Sequence, residues 1–437
     1  MAVATVLLFN TGCHDILYPT PQMDISDETA LTTYDGLQAA LIGAYNKLQD
    51  GDLYGGTIWT GGEMLANNVK KSGEGNIVYE ETQLLEKIQT ADNRISGALW
   101  YKAYEAIYLC NSILEALPEV TDPKLTDTER NRIKGEALFI RAILYFDMVR
   151  YFGNPNTGDG VPLVLTVQGI NEKPARNTID EVYNAAVSDL EEAAGLLPES
   201  NENRATSWAA KAYLARVHFF RKEYGEAAQY CTEVIENGPF QLVDSLPLNY
   251  SSGPLSKEVI FAMMSTNNDA SSWALHNYYR QASGGKFSPS NYMKKLFLFT
   301  GGTADKRYSQ LMKEENGKTF VTKFDELYMH VPLMRLAEMY ITRAECRFEL
   351  GNTAGTVEDY NVIRKRANLP EENSINLTKL YYERSKELAF EGDMLFNMKR
   401  REMTKISDKE LPWNDVKLLY LIPQREIEVN PNLVQNE

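Results

Sequence analysis

Histidine and cysteine are scarce in this chain of 437 residues, which has four of each. No CxxC pair and no Cys/His cluster occurs, so the sequence offers neither a zinc site nor a redox pair, and we expect no metal and no cofactor. Cys110, Cys231 and Cys346 lie within helical apolar patterns, where a free thiol behaves as a small buried hydrophobe. His218 also falls at an apolar helix position and is expected in the core rather than in a ligand set.

Recognisable catalytic motifs are also missing. The sequence contains no HExxH, no GxSxG, no P-loop and no GxGxxG. A pair of carboxylates for glycoside hydrolysis stays open because Asp and Glu are plentiful, but no pair is singled out, and charged residues usually form a solvated face. The residues alone therefore indicate no catalytic chemistry, and we keep a helical glycoside hydrolase as an alternative.

Positive charge is in deficit, with a formal net charge of -15. The phosphate backbone would repel such a chain, so we expect no nucleic acid partner, and an anionic membrane surface is not its main attraction. A neutral ligand such as a sugar is still compatible with this charge. Aromatic residues, by contrast, exceed what a helical core requires, with 25 Tyr, 16 Phe and 5 Trp.

The apolar run at residues 2–9 is too short to span a bilayer but has the length of the hydrophobic region of a signal peptide. Thr11 and Gly12 directly precede Cys13, as small residues do in the lipobox of bacterial lipoproteins. Phe9 and Asn10 stand where Leu is usual, and no Lys or Arg precedes the run. We predict that residues 1–13 are a signal peptide and that Cys13 is lipidated; the alternative is an apolar terminus with an incidental cysteine.

Helical periodicity dominates the rest of the chain. In residues 333–369 two apolar patterns with three- and four-residue steps are separated by Gly351-Asn352, which predicts a helical hairpin. Two such short helices cannot bury their apolar stripes alone, so a stacked helical array is expected. Further helical patterns occupy residues 34–49, 95–117, 126–151, 178–198 and 207–239, with Thr126 and Thr178 as predicted N-caps.

Two stretches lack a sustained period. Residues 51–76 are rich in Gly and Asn and are predicted to form a loop, while residues 242–329 contain one strand-like segment, VIFAMM, among Ser, Gly, Asn and aromatic residues. Insertions of that length are usually functional. We predict one domain at 14–437: a helical scaffold at about 34–50, 95–240 and 333–400, ligand-facing irregular regions at about 51–94 and 242–329, and an extended tail at 401–437.

Short motifs spread over nearly the whole chain carry a family resemblance. In the C-terminal half they are Arg335-Leu336-Ala337-Glu338, Tyr340, Arg343-Ala344-Glu345, Asn361, Arg364, Arg366-Ala367, Glu383-Arg384, Glu387-Leu388, Phe390-Glu391-Gly392, Lys399-Arg400, Leu419-Tyr420-Leu421-Ile422-Pro423, Glu426-Ile427, Asn430-Pro431 and Gln435-Asn436. Upstream they are Asn111, Gly135-Glu136-Ala137, Arg141-Ala142, Tyr145-Phe146, Arg150 and Gly160-Val161-Pro162-Leu163-Val164. Together they resemble the SusD/RagB family of outer-membrane nutrient-binding lipoproteins of Bacteroidetes.

The resemblance implies a mainly α fold, in which about four tetratricopeptide-like helix pairs pack against an irregular, loop-rich lobe. It also implies a cell-surface, lipid-anchored protein of the outer membrane that is not an enzyme. Such a protein would capture an oligosaccharide, less often a peptide, and deliver it to a SusC-like TonB-dependent transporter. The chain departs from the family at Met394 and Asn397, where Arg and Asp are usual, which puts an ion pair at that place in doubt.

The irregular regions supply our candidate ligand-binding residues. Aromatic rings offer apolar faces to sugar C–H groups, and amides and guanidinium groups bind hydroxyls. For each ring the alternative is burial in the local core, and for the whole protein it is an interaction scaffold with no small-molecule ligand. The predicted rings are Trp59, Tyr79, Trp273, Tyr278 and Tyr279, and the predicted hydrogen-bonding residues are Asn67, Asn68, Asn277 and Arg280.

Overall fold

The computed structural model describes residues 31–73, 75–169, 171–280 and 284–436, so the predicted signal peptide and Cys13 lie outside the described residues. The helices are α1 Tyr34–Leu48, α2 Thr57–Leu65, α3 Tyr79–Glu86, α4 Arg94–Ala116, α5 Asp127–Phe152, α6 Ile179–Leu196, α7 Ser207–Phe220, α8 Tyr224–Asn237, α9 Trp273–Tyr279, α10 Asn291–Thr300, α11 Lys306–Leu311, α12 Leu336–Glu349, α13 Thr353–Arg366, α14 Leu377–Glu387, α15 Met394–Arg400 and α16 Gln424–Val429. The strands are β1 Val69–Lys71, β2 Val259–Met263, β3 Phe287–Pro289, β4 Met312–Glu315, β5 Lys318–Val321 and β6 Val331–Arg335.

Eight helices stack into an array. In packing order they are α1, α4, α5, α6, α7, α8, α12 and α13, each in contact with the next. They form four successive pairs, α1 with α4, α5 with α6, α7 with α8, and α12 with α13, so the predicted mainly helical fold is confirmed. None of the described helices is both long enough and apolar enough to cross a membrane.

The helix caps follow the sequence signals. Thr126 Oγ1 accepts a hydrogen bond from the Glu129 backbone N–H, and Thr178 forms a capping box with Glu181, as predicted. From Ile133 to Phe152 nearly every residue of α5 is buried, which makes this helix the centre of the array. The predicted burial of Cys110, Cys231, Cys346 and His218 is confirmed.

The loop predicted at residues 51–76 is wrong, because α2 forms within it and is buried along its whole length. Gly61 and Gly62 lower the intrinsic helix propensity here, but tertiary packing overrides propensity. Tyr151 Oη accepts a hydrogen bond from the Gly62 backbone N–H at 3.0 Å and donates one to the Ile58 carbonyl at 2.8 Å. The missing side chains thus let the α5 tyrosine contact the α2 backbone directly.

The described residues contain three two-stranded antiparallel sheets. β2, which the sequence predicts from VIFAMM, pairs with β6, and β4 pairs with β5. β1 pairs with β3 through Val69 opposite Pro289 and Lys71 opposite Phe287. This last pairing joins the two predicted ligand-facing regions to each other.

A buried charge network surrounds Arg335 at the end of β6. Its Nη1 lies 2.8 Å from Glu258 Oε1 and 3.1 Å from Glu387 Oε1, and its Nη2 lies 2.7 Å from Glu391 Oε1. Arg366 bonds the same Glu258 through its Oε2 at 2.7 Å. Burial alone would raise the pKa of Glu387, but the surrounding guanidinium groups hold it well below its usual range. The network therefore connects β2, β6, α13 and α14.

The two family departures lie on α15. Met394 is buried, and Asn397 Oδ1 accepts a hydrogen bond from Arg400 Nη2 at 2.8 Å. An amide therefore contacts the guanidinium group of the same helix at this place. Met394 adds an apolar side chain to the core.

Candidate ligand-binding surface

The two irregular regions meet at α3 and α9. α9 packs on β3, and Lys286 Nζ, immediately before β3, forms an ion pair with Glu81 Oε1 on α3 at 2.6 Å. Glu81 is buried, so this pair is a fixed link between the regions rather than a surface contact. We call the exposed Tyr79 and Trp273, together with the partly buried Asn277 and Tyr278, the α3–α9 surface.

Two of the predicted rings are exposed on this surface. Tyr79, the first residue of α3, is 68% exposed, and Trp273, the first residue of α9, is 62% exposed. Asn277 lies one turn after Trp273 on the same helix face, and its Nδ2 donates to the Trp273 carbonyl at 2.9 Å. Aromatic side chains are mostly buried in proteins, so two exposed rings on neighbouring elements mark a surface that can bind a flat apolar ligand face.

Tyr278 is the third aromatic residue of this surface, and it contacts the Lys286–Glu81 link. Its ring stacks on Phe287 with centroids 5.5 Å apart and planes 15° apart, and Lys286 Nζ lies 5.1 Å from its centroid. Burial raises the pKa of Tyr278, and the nearby Glu81 carboxylate raises it further. The phenol therefore stays protonated and can donate a hydrogen bond beside a carboxylate and an ammonium group.

Trp59 and Tyr279 do not belong to this surface. Trp59 is 4% exposed and packs edge-on against Phe324 with centroids 6.0 Å apart. Tyr279 is fully buried and contacts Phe324 and Phe390, with centroids 5.1 Å and 5.8 Å away. The prediction that these two rings belong to the sugar-binding platform is wrong, because both are buried in the core.

Asn67 and Asn68 are also engaged inside the protein. Asn68 is fully buried and its Nδ2 donates to Glu63 Oε2 at 2.8 Å. Asn67 Oδ1 accepts from Lys87 Nζ, and its Nδ2 donates to the Leu85 carbonyl at 3.3 Å. Both amides stabilise the turn after α2. Burial of Asn68 corrects its predicted role as a ligand donor, whereas Asn67 is only partly buried and stays a predicted ligand contact. Arg280, the C-cap of α9, is partly buried and stays a predicted ligand contact.

A cavity of about 850 Å³ lies elsewhere, between α4 and the C-terminal segment. Tyr101, Tyr104 and Tyr108 line it from one face of α4, and Tyr104 Oη donates to the Pro162 carbonyl at 2.7 Å. The sequence prediction did not include this groove, because the helical pattern that it used marks the apolar core face of the same helix. The signal was present, since tyrosines at steps of three and four residues share a helix face.

The groove also contains carboxylates, which bear on the alternative of a glycoside hydrolase. Glu105 Oε2 pairs with Lys47 Nζ at 2.6 Å, and Glu172 Oε1 accepts from the Gly169 backbone N–H at 3.2 Å. Burial raises the pKa of Glu426.

Across the described residues, no group of three or more His, Cys, Asp or Glu side chains is placed to hold a metal ion.

Comparisons with known proteins match this geometry to one class. Residues 23–219 match a family model described as starch-binding and associating with the outer membrane, and residues 321–437 match the SusD family model. A solved SusD superfamily protein from Bacteroides thetaiotaomicron superposes with a TM-score of 0.83 at 25% identity, covering 93% of this chain and 100% of that one. Another from Bacteroides vulgatus gives 0.84 at 24% identity, covering 92% and 98%. The fold is thus that of the SusD superfamily.

Curated relatives agree with the structures. A SusD-like protein of Bacteroides ovatus is 24% identical over 91% of this chain and 81% of its own length. A SusD-like protein of Formosa agariphila is 29% identical over 55% of this chain and 46% of its own length. The chain belongs to the SusD/RagB family.

Proposed function

We propose that this protein binds an oligosaccharide at the α3–α9 surface and delivers it to a SusC-like TonB-dependent transporter. The observation that carries the proposal is the exposure of Tyr79 (68%) and Trp273 (62%) on two elements linked by the Lys286–Glu81 ion pair. Sugar C–H groups stack on such rings because the ring faces are apolar and electron-rich. The description of the first family model, starch-binding and associating with the outer membrane, supports a carbohydrate ligand over a peptide.

The polar groups beside the rings fit the hydroxyls of a sugar. The Asn277 amide and the Tyr278 phenol can each donate and accept a hydrogen bond. The ammonium of Lys286 and the partly buried Arg280 add donors. A ligand site of this kind combines apolar contact area with a few placed polar groups, and the polar groups give the site its specificity.

The test is retention on affinity gels that contain a panel of polysaccharides. Trp273→Ala and Tyr79→Ala should each weaken retention about fivefold or more, since loss of an aromatic anchor costs about 1 kcal/mol or more at a binding hot spot. Both variants should keep the wild-type Tm, because the side chains are exposed. Phe299→Ala is the matched control: Phe299 is 88% exposed on α10, away from the surface, and its loss should change neither retention nor Tm.

The tyrosine groove on α4 is the competing location for the same ligand. Tyr108 is 44% exposed there, so Tyr108→Ala removes a ring from the groove without opening the core. Lost retention in Tyr108→Ala with normal retention in Trp273→Ala would move the site to the groove. A protein that retains no glycan and gives no heat with any sugar by calorimetry would instead be an interaction scaffold.

The remaining elements of the proposal are the lipid anchor at Cys13, the absence of catalysis and the transporter partner. Cys13→Ser should shift the protein from the outer-membrane fraction to the soluble fraction, and failure to shift would refute the anchor. No reducing ends should appear when the protein is incubated with the polysaccharides that it retains. Pull-down of the lipidated protein from outer membranes should recover a TonB-dependent transporter.

A further inference from the structure

A second cavity, of about 410 Å³, lies between α5, α6, the end of α7 and α15. We call it the Lys399 cavity, after the lysine that lines it from α15. Its volume falls in the range of about 300–1,000 Å³ that is typical of small-ligand sites. Four aromatic side chains form much of its wall: Tyr183, Phe220, Phe396 and Trp413.

The charge of the cavity is opposite to that of the whole protein. The chain has a formal net charge of -15, yet four basic and only two acidic side chains line this cavity. Asp180 and Glu402 are the acidic ones, and Glu402 already pairs with Lys222. The other basic residues are Arg150, Lys399 and Arg400.

Lys399 differs from the other three basic residues of the cavity in having no ion-pair partner among the described residues. Arg150 pairs with Asp147, and Arg400 Nη2 lies 2.5 Å from Glu345 Oε1. The ε-amino group of Lys399 has neither an ion-pair nor a hydrogen-bond partner in the part of the chain that the structure describes. The Lys399 side chain is partly exposed at the cavity wall, so its unpaired ammonium is available to pair with a bound anion.

Two further donors around the cavity are unsatisfied. Arg150 Nε and Arg400 Nε are buried, and neither has a hydrogen-bond partner among the described residues. Arg150 is also held between rings, with its guanidinium carbon 4.1 Å from the Phe146 centroid and 4.3 Å from the Phe396 centroid. The positive charge is therefore fixed in place, as a preorganised anion site requires.

We infer that the Lys399 cavity binds a carboxylate carried on a sugar-sized ring, that is, a sugar acid, with the Lys399 ammonium as its ion-pair partner. The aromatic wall favours a ligand with a ring over a bare inorganic anion, because the rings offer contact area that a small ion leaves unused. The lone ammonium selects a negative charge over a neutral sugar. This inference is independent of the α3–α9 surface.

The ionisation of Lys399 makes the binding depend on pH. Burial, together with the Arg150 guanidinium, lowers the pKa of Lys399 to about 7. A bound carboxylate favours the ammonium form and raises that pKa, so binding takes up a proton and affinity falls as pH rises above about 7. The other charged and titratable groups that line the cavity are Asp180 and Tyr183 on α6, Lys222 after α7, Arg400 on α15 and Glu402 after α15.

The test is calorimetry of the full-length protein with glucuronate, glucose and inorganic sulfate at about pH 6 and about pH 8. Glucuronate should bind at least about tenfold more tightly than glucose or sulfate, and more tightly at the lower pH. Lys399→Met should abolish this preference, while Lys405→Met should keep it, since Lys405 is an exposed lysine paired with Glu410 at 2.9 Å. No glucuronate binding, or equal binding of glucose, would overturn the inference, and equal binding of sulfate would overturn the sugar-acid assignment.

A second measurement does not depend on how well Lys399→Met folds. An amine with a pKa of about 7 is partly neutral near neutral pH, so brief acetylation of the wild-type protein should modify Lys399 early. Mass spectrometry should then show that glucuronate protects Lys399 and that glucose does not. Equal modification with and without glucuronate would count against a carboxylate at this amine.

Discussion

Glu63 shows how a single buried carboxyl couples the irregular region to the array. It is 1% exposed, and it accepts hydrogen bonds from Asn68 Nδ2 at 2.8 Å and from the Gly392 backbone N–H at 2.9 Å. Burial, despite these two bonds, raises the pKa of Glu63 to about 7. The shift from 4.5 corresponds to roughly 3 kcal/mol of cost for holding the charged form in the folded state.

This cost predicts a pH dependence of stability. A carboxyl whose pKa is higher in the folded than in the unfolded state disfavours folding progressively as pH rises from about 4.5 to about 7. Glu63→Gln should remove that part of the pH dependence and be the more stable protein at about pH 8, by up to roughly 3 kcal/mol. The amide can be satisfied, because Asn68 Oδ1 has no partner within the described residues and can accept from it after a flip.

The measurement is urea unfolding of both proteins at about pH 5 and about pH 8. The difference between the two proteins isolates Glu63 from the other titrating groups. An unchanged pH dependence in Glu63→Gln would mean that the carboxyl is not the source of the effect.

At the residue scale, the sequence does not predict which aromatic side chains are buried. Trp59 and Trp273 both lie among Gly, Ser and Thr residues in unpatterned stretches, and either could have been exposed. Only long-range packing separates them: Phe324, from a segment far along the chain, packs against Trp59. The sequence therefore predicts which regions carry exposed rings, but not which individual rings are exposed.

At the element scale, helix α2 was missed because its stability comes from its neighbours. The glycines of α2 are typical of a loop, so the sequence pattern does not predict the helix. The caps at Thr126 and Thr178, by contrast, are local hydrogen bonds that a short sequence pattern predicts. Gly61 and Gly62 allow contacts that would be blocked by side chains. A β-carbon on Gly61 would overlap Tyr420 Oη and lie 3.2 Å from Tyr151 Oη.

Gly61→Ala should accordingly destabilise the protein by about 1–3 kcal/mol, the usual cost of overpacking a core. Gly195→Ala is the matched control within α6, where a β-carbon meets open space. That variant should be more stable by about 0.5–1 kcal/mol, since alanine loses less backbone entropy than glycine in a helix. Urea unfolding measures both changes. An unchanged free energy of unfolding in Gly61→Ala would show that Tyr420 and Tyr151 can move aside.

At the scale of the whole molecule, the family motifs turn out to build the scaffold. Arg335, Arg366, Glu387 and Glu391 carry much of the resemblance, and the structure places all four in the buried charge network. The same motifs predict the fold and the family, yet none of the α3–α9 surface residues belongs to them. Family membership could thus be read from the sequence, while the ligand surface depends on side chains whose exposure only the folded chain determines.

The network gives the last prediction. Arg335→Met removes a buried cation that pairs with Glu258, Glu387 and Glu391, and loss of one partner of a buried ion pair costs roughly 3–5 kcal/mol. A protein of ordinary stability, about 5–15 kcal/mol, would lose a large fraction of it. Lys124→Met is the control, because Lys124 is 62% exposed and its ion pair with Asp35, screened by solvent, should contribute little to stability. Urea unfolding should show a large loss for Arg335→Met alone; equal small losses in both variants would mean that water or a neighbouring cation compensates the buried glutamates.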